Sequence, residues 1–128
     1  MSLLLDTHAA LWLVQGDARL GDGATARIAG VRRDELYISD LLLLEASLLI
    51  SKGRVVVDES PGTFLRDLAA RFHTLPIHPA VAALAPELPL PQADPFDRVF
   101  VATAKYHELP IVTRDRAIRE SGIVETVW

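Results

Sequence analysis

Acidic side chains stand where apolar segments end. Asp6 follows Leu3-Leu4-Leu5, Asp40 follows Leu36-Tyr37-Ile38-Ser39, and Asp115 comes two residues after the apolar stretch that closes on Thr113. Asp94 and Asp97 open the segment that leads to His107, and Glu45 lies inside Leu41–Ile50, where Ser47 is the only other polar residue. Carboxylates that meet in one cleft repel one another and raise each other's pKa. A hard divalent cation relieves this, and Mg²⁺ takes oxygen ligands while keeping several waters. Such an ion lowers the pKa of a bound water and stabilises the leaving oxygen of a phosphodiester. The chemistry this set could do is metal-assisted hydrolysis of a phosphate ester.

Each acid also has a plainer reading. Asp is a favoured helix cap, which would account for Asp6 and Asp40. Asp94-Pro95-Phe96-Asp97 has an acid at the cap, proline at the first helical position and a second acid at the third, a complete helix start with a favourable dipole charge. That fully explains Asp94; Asp97 could equally point at a metal. Asp115 in Thr113-Arg114-Asp115-Arg116 could be a turn residue paired with its arginines. Glu45 is hardest to explain by capping. A buried carboxylate needs a cation or a hydrogen-bond network, so a metal or an arginine must answer it. Arg98, Arg114, Arg116 and Arg119 suit bidentate contact with phosphate, or pairing with neighbouring acids. His8 could touch a substrate or simply open a helix. Trp12 and Trp128 read as packing residues.

Strand and helix signals alternate. Strands are predicted at Ser2–Leu5, Leu36–Ser39, Leu75–His78, Pro110–Thr113 and Ile123–Trp128. Helices are predicted at Thr7–Gln15, Gly23–Val31, from a cap at Asp40 to Lys52, from a cap at Ser60 to Phe72, at Pro79–Ala85, from Asp94 to His107, and as a turn at Arg116–Glu120. The stretch Ala85–Asp94 carries three prolines and is predicted to be a surface loop. Strands separated by helices imply a parallel sheet covered on both faces, and the wholly apolar strand runs agree. In such sheets ligands bind at the carboxyl ends of the strands, where these acids fall.

Composition sets limits. The chain has 128 residues, which fits one domain over 1–128, and half of them are hydrophobic. That apolar content excludes a disordered chain, and the absence of cysteine excludes a disulfide scaffold or a cysteine-based zinc site. No apolar run approaches the ~18 residues of a membrane span, and no basic segment precedes Leu3, so a cytoplasmic protein is expected. No Gly-x-Gly-x-x-Gly occurs, which argues against a dinucleotide site. A phosphotransferase with Asp6 as nucleophile would carry a second Asp where His8 stands. The formal net charge is -4. Taken alone, mild acidity argues against a nucleic-acid partner. If Asp6, Glu45, Asp97 and Asp115 are neutralised by metal, the rest of the chain is neutral and the objection disappears.

The ordered set Leu3-Leu-Leu-Asp6-Thr-His-Ala-Ala-Leu-Trp12, Leu44-Glu45-Ala, Asp94-Pro-Phe-Asp97-Arg-Val-Phe-Val-Ala-Thr-Ala104 and Ile111-Val-Thr113-Arg-Asp115 resembles the PIN domain family, in particular its bacterial VapC-type toxins. The resemblance runs from about Leu3 to Val127. It implies a three-layer α/β/α sandwich around a parallel sheet. It implies a metal-binding quartet of Asp6, Glu45, Asp97 and Asp115, with Asp94 as an additional acid and Thr113 as the supporting hydroxyl. It also implies Mg²⁺ or Mn²⁺ dependence, endoribonuclease activity on single-stranded RNA, a homodimer, and a cognate antitoxin that covers the cleft. Arg98, Arg114, Arg116 and His8 are then the candidate RNA contacts. A catalytically silent, PIN-like binding or scaffold protein is the alternative. Two departures stand out: relatives often carry His just before the Asp-Pro-Phe-Asp-Arg block, here Leu90-Pro91-Gln92-Ala93, and Trp before the helical Glu, here Leu44.

Overall fold

The computed structural model describes residues 1–91 and 94–128. Gln92 and Ala93, near the end of the proline-rich stretch, lie outside the described residues, and so does that part of the predicted loop. Among the described residues five strands, β1 (Leu3–Leu5), β2 (Leu36–Ser39), β3 (His73–Leu75), β4 (Ile111–Val112) and β5 (Thr126–Val127), form one parallel sheet in the order β3-β2-β1-β4-β5. Among the described residues, seven α-helices connect and flank them: α1 (Thr7–Gln15), α2 (Asp22–Ala29), α3 (Asp40–Ser51), α4 (Pro61–Arg71), α5 (Pro79–Leu84), α6 (Pro95–His107) and α7 (Arg116–Ser121). The expected three-layer α/β/α class is the observed one. No helix among the described residues is long and apolar enough to cross a membrane.

The strand order decides where a site can form. From β1 the chain moves outward to β2 and β3, then returns to the other side of β1 for β4 and β5. Right-handed crossovers send the helices before and after that return to opposite faces. The reversal opens a crevice between β1 and β4, at the carboxyl ends of their strands. Register brings those ends level: Leu5 lies opposite Val112, and the Asp6 amide donates to the Val112 carbonyl at 3.1 Å. Asp6 and Thr113 are therefore neighbours across the crevice.

Sheet and helices close on one apolar core. Leu3, Leu4, Leu5, Ile38, Ile111 and Val112 are fully buried, as expected of strands covered on both faces. Leu11, Leu42, Leu68, Phe100, Val101 and Ile118 meet them from the helices.

Two local predictions need correction. The third strand is His73–Leu75, upstream of the predicted Leu75–His78. Pro76 has no N–H to give the ladder, and the His78 amide instead donates to the Pro76 carbonyl at 2.9 Å. Asp40 does not cap α3; Ser39 does, accepting from the Leu41 amide at 3.2 Å. Asp40 is the first helical residue, and its carboxylate accepts from the Ile77 amide at 3.3 Å. It braces the exit of β3 and stays away from the crevice. The remaining boundaries shift by a few residues, most at the last strand, which keeps only Thr126 and Val127 of the predicted Ile123–Trp128.

Leu4 sits in the central strand, pairs with Tyr37 on one side and Ile111 on the other, and has no exposure. Leu4→Ala is expected to destabilise the fold by about 2–5 kcal/mol in chemical denaturation, the range for a buried leucine that leaves a cavity.

Candidate metal centre

Capping and chemistry converge on the same side chains. Asp6 caps α1 and accepts from the Ala9 amide at 2.9 Å; Asp94 caps α6 and accepts from the Phe96 amide at 2.9 Å; Asp115 caps α7 and accepts from the Ile118 amide at 2.9 Å. Three helices thus begin at the crevice with a carboxylate each. Each cap bond fixes the orientation of its carboxylate, and it uses only part of the oxygen atoms' accepting capacity. Asp97 lies one turn into α6, and Glu45 projects from α3. All five acids line one pocket of about 270 Å³, together with Thr7, His8, Phe100 and Arg114. A larger hollow of about 530 Å³, lined by residues such as Arg33, Arg71 and His73, has no comparable cluster of acids.

Two buried hydroxyls order the acids. Thr113, fully buried at the end of β4, accepts from the Asp115 amide at 3.0 Å and hydrogen-bonds the Asp6 carboxylate. It ties the acids of two strand ends together. Thr7, also buried, donates to Oε1 of Glu45. Among the described residues no ion pair holds Glu45, so the arginine alternative for it is not the one adopted. Thr7 was not foreseen as a site residue. The available signal was its place next to Asp6, but nothing in the sequence says that α3 packs on α1 with Glu45 facing it.

The electrostatics follow from burial and crowding. Burial pushes Asp6 up to about 6, with the charge of Asp115 adding to it, against the Thr113 and Ala9 hydrogen bonds and the Arg114 charge. Asp97 is pushed up to about 7, by burial first and then by the charges of Asp94, Asp115, Glu45 and Asp6. Glu45 is raised by burial and by Asp94 and Asp6, against the Thr7 hydroxyl and His8. His8 is lowered, by burial first and then by Arg114 and Arg19, against the Glu45 charge. These are the marks of a site that holds more negative charge than it can keep ionised without a cation.

The donor set fits a hard divalent ion: it is all oxygen, multiply anionic and held on helix and strand ends. Among the described residues, no three His, Asp or Glu side chains are closed into a finished cage. An ion that keeps part of its water shell does not require one.

The arginines divide. Arg114 lines the pocket, and its guanidinium carbon lies 4.6 Å from the centre of the Trp12 ring. Arg98 turns away. It donates to the carbonyls of Ala85 at 3.2 Å, Leu88 at 3.0 Å and Leu90 at 2.9 Å, pinning the segment before α6. Arg116 is exposed and pairs with Glu120 at 2.8 Å within α7. Neither lines the acidic pocket, so the expected grouping of three arginines around it reduces to Arg114. His8 is exposed and sits at the pocket edge.

The chain matches the family model described as PIN domain over residues 3–123. It is 34% identical over 130 residues to Ribonuclease VapC22 of Mycobacterium tuberculosis, covering 99% of this chain and 98% of that one. Among solved structures it resembles VapC20 of Mycobacterium tuberculosis, described as a Sarcin-Ricin loop cleaving toxin, with a TM-score of 0.71, 18% identity and coverage of 99% and 100%. It also resembles a toxin-antitoxin complex from Klebsiella pneumoniae, with a TM-score of 0.67, 20% identity and coverage of 96% and 95%. These two likenesses are of fold, and the sequence matches carry the assignment: the chain belongs to the PIN domain family.

Proposed function

We propose that this chain is a metal-dependent endoribonuclease that cuts single-stranded regions of RNA and acts as the toxin of a toxin–antitoxin pair in the cytoplasm. The observation that carries the reading is the meeting of five carboxylates around one pocket at the sheet's switch point. Asp6, Glu45, Asp97 and Asp115 would hold Mg²⁺ or Mn²⁺, with Asp94 beside them. The ion supplies an acidified water and charge neutralisation at the leaving oxygen. The chain's own residues do the rest. Thr113 keeps Asp6 and Asp115 in one orientation, and Thr7 does the same for Glu45. Arg114, braced on Trp12, offers a fixed guanidinium to the phosphate at the pocket wall.

Identity with a ribonuclease over the whole chain supports the activity. The toxin-antitoxin complex among the structural likenesses supports an antitoxin partner. Leu44 and Leu48 lie one turn apart on α3, 53% and 39% exposed, and offer apolar surface for a homodimer. A silent scaffold has no observation in its favour, because every expected acid is present and lines the pocket. The single domain over 1–128 belongs to the same reading.

The direct test is cleavage of a mixed pool of single-stranded RNA in Mg²⁺ or Mn²⁺, set against EDTA and against Asp97→Asn. Cleavage that needs the metal and is lost in the variant is expected; metal-independent cleavage, or full activity in Asp97→Asn, would overturn the assignment. Thr7→Val keeps the shape and removes the donor to Glu45. It is expected to lower metal affinity or activity by about 10–100-fold, as loss of a group that orients a ligand does, with the protein still folded by circular dichroism.

The raised carboxylates also set a pH dependence for the metal-free protein. Asp97 at about 7 and Asp6 at about 6 bind protons in the folded state that the unfolded chain, with ordinary carboxylates near 3.8, has released. Over that window the folded state holds more protons, so stability falls as pH rises. In EDTA the melting temperature is expected to be higher at roughly pH 5 than at roughly pH 8. Asp97→Asn should flatten the difference. A melting temperature that falls on acidification across this range contradicts the crowding of charge.

A further inference from the structure

Next to the acidic pocket lies a second hollow of about 370 Å³, and His8 lines both. Its character is opposite. No carboxylate lines it, and Arg19 and Arg54 do. We propose that this hollow is a second subsite for the RNA strand, where Arg54 and Arg19 take a phosphate neighbouring the one being cut. The proposal rests on the nuclease reading and adds the path of the strand.

Trp12 links the two hollows. The indole is 4% exposed and is packed edge-on by Trp128, with ring centres 5.9 Å apart. Arg114, in the acidic pocket, lies 4.6 Å from its ring centre; Arg19, in the second hollow, lies 5.0 Å from it. Both distances fall within the range of a cation–π contact. One buried ring thus carries one guanidinium for each hollow, and the two guanidinium carbons are no more than about 10 Å apart. Asp17 grips Nε and Nη2 of Arg19 at 2.7–3.2 Å. That fixes the side chain's direction and leaves Nη1 without a partner among the described residues.

Arg54 is exposed, and its side chain has no ion pair among the described residues. The loop that carries it is anchored to α1 by Gln15, whose Nε2 donates to the Val56 carbonyl at 3.3 Å. The far wall of the hollow is therefore held in place. The second hollow attracts phosphate without needing a metal, unlike the acidic pocket. His8, exposed on the rim between them with its ring centre 5.4 Å from that of Trp12, offers a ring face to the intervening base. An acidic segment of a protein partner would meet the same arginines. Continuity with the acidic pocket, and the pairing of Arg19 with Arg114 on one ring, favour a nucleic-acid strand.

Fluorescence anisotropy of a labelled single-stranded oligoribonucleotide of mixed sequence tests this. The protein is Asp97→Asn, so the strand stays intact, with and without Arg54→Ala, over a series of salt concentrations. Arg54→Ala is expected to weaken binding at low salt by about fivefold or more and to reduce the salt slope by about 0.7, the loss of one phosphate contact to a single strand. Arg54→Lys should restore the slope. In the chain that retains Asp97, Arg54→Ala should raise KM for the RNA pool with kcat little changed. Unchanged affinity and slope in Arg54→Ala, while the unmodified chain cleaves the pool, overturn the subsite and leave the nuclease reading standing. An Arg54 effect on binding of polyglutamate but none on RNA assigns the hollow to a protein partner and also overturns it. Failure of the unmodified chain both to bind and to cut RNA overturns both readings.

Discussion

Mutual repulsion among five carboxylates is the constraint around which this structure is built. Asp6, Glu45, Asp94, Asp97 and Asp115 come from four different parts of the chain and share one small pocket. Burial and crowding raise the carboxyls of Asp6, Glu45 and Asp97 above the ordinary range. The fold answers with covalent and hydrogen-bonded stiffness. Asp6 and Asp115 follow strands locked into one sheet, and Asp94 begins a helix whose interior is buried through Phe100–Ala104. Caps and threonine hydroxyls then hold Asp6, Asp94, Asp115 and Glu45 in fixed directions. On the proposed reading a divalent cation would supply the remaining balance and, with it, the chemistry of the site.

The topology explains why the acids can meet at all. A parallel sheet whose order reverses next to β1 leaves a crevice at its carboxyl edge. Helices that begin there aim their N-termini into it, where partial positive charge favours anionic caps. The groups that cap these helices are therefore also the groups that line the pocket. Asp6 is both the cap of α1 and a wall of the pocket, and Asp94 and Asp115 are the same for their helices. Capping is realised at all three, for Asp115 in place of the arginine pairing that its sequence suggests, and all three stand in the pocket that the proposed metal role requires.

Much of this was legible from residue order, and the failures are instructive. Wholly apolar strand runs and the capped start at Asp94-Pro95 located β1, β2, β4 and α6 closely. Pro76 moved β3 upstream because a missing N–H cannot join a ladder. Asp40 and Ser39 are both capping residues by type, and it is Ser39 that caps α3 while Asp40 accepts from the Ile77 amide. The roles of Thr7 and Arg98 are not legible in the sequence for a common reason: each depends on how another segment packs against the residue. Thr7 meets Glu45 only because α3 lies on α1, and Arg98 is consumed by three carbonyls of the segment before its own helix. Composition was the weakest guide. A net charge of -4 argues against RNA, yet Asp6, Glu45, Asp97 and Asp115 account for that charge by themselves.

The central claim is that these carboxylates hold a divalent metal ion. Anomalous diffraction from a crystal soaked in Mn²⁺ addresses it most directly, because it locates the ion without reference to activity. The account predicts a strong peak in the pocket between Asp6, Asp97 and Asp115, with carboxylate oxygens at about 2.0–2.3 Å as expected for a small hard cation. A pocket without a peak, in a crystal that binds Mn²⁺ elsewhere, would contradict it.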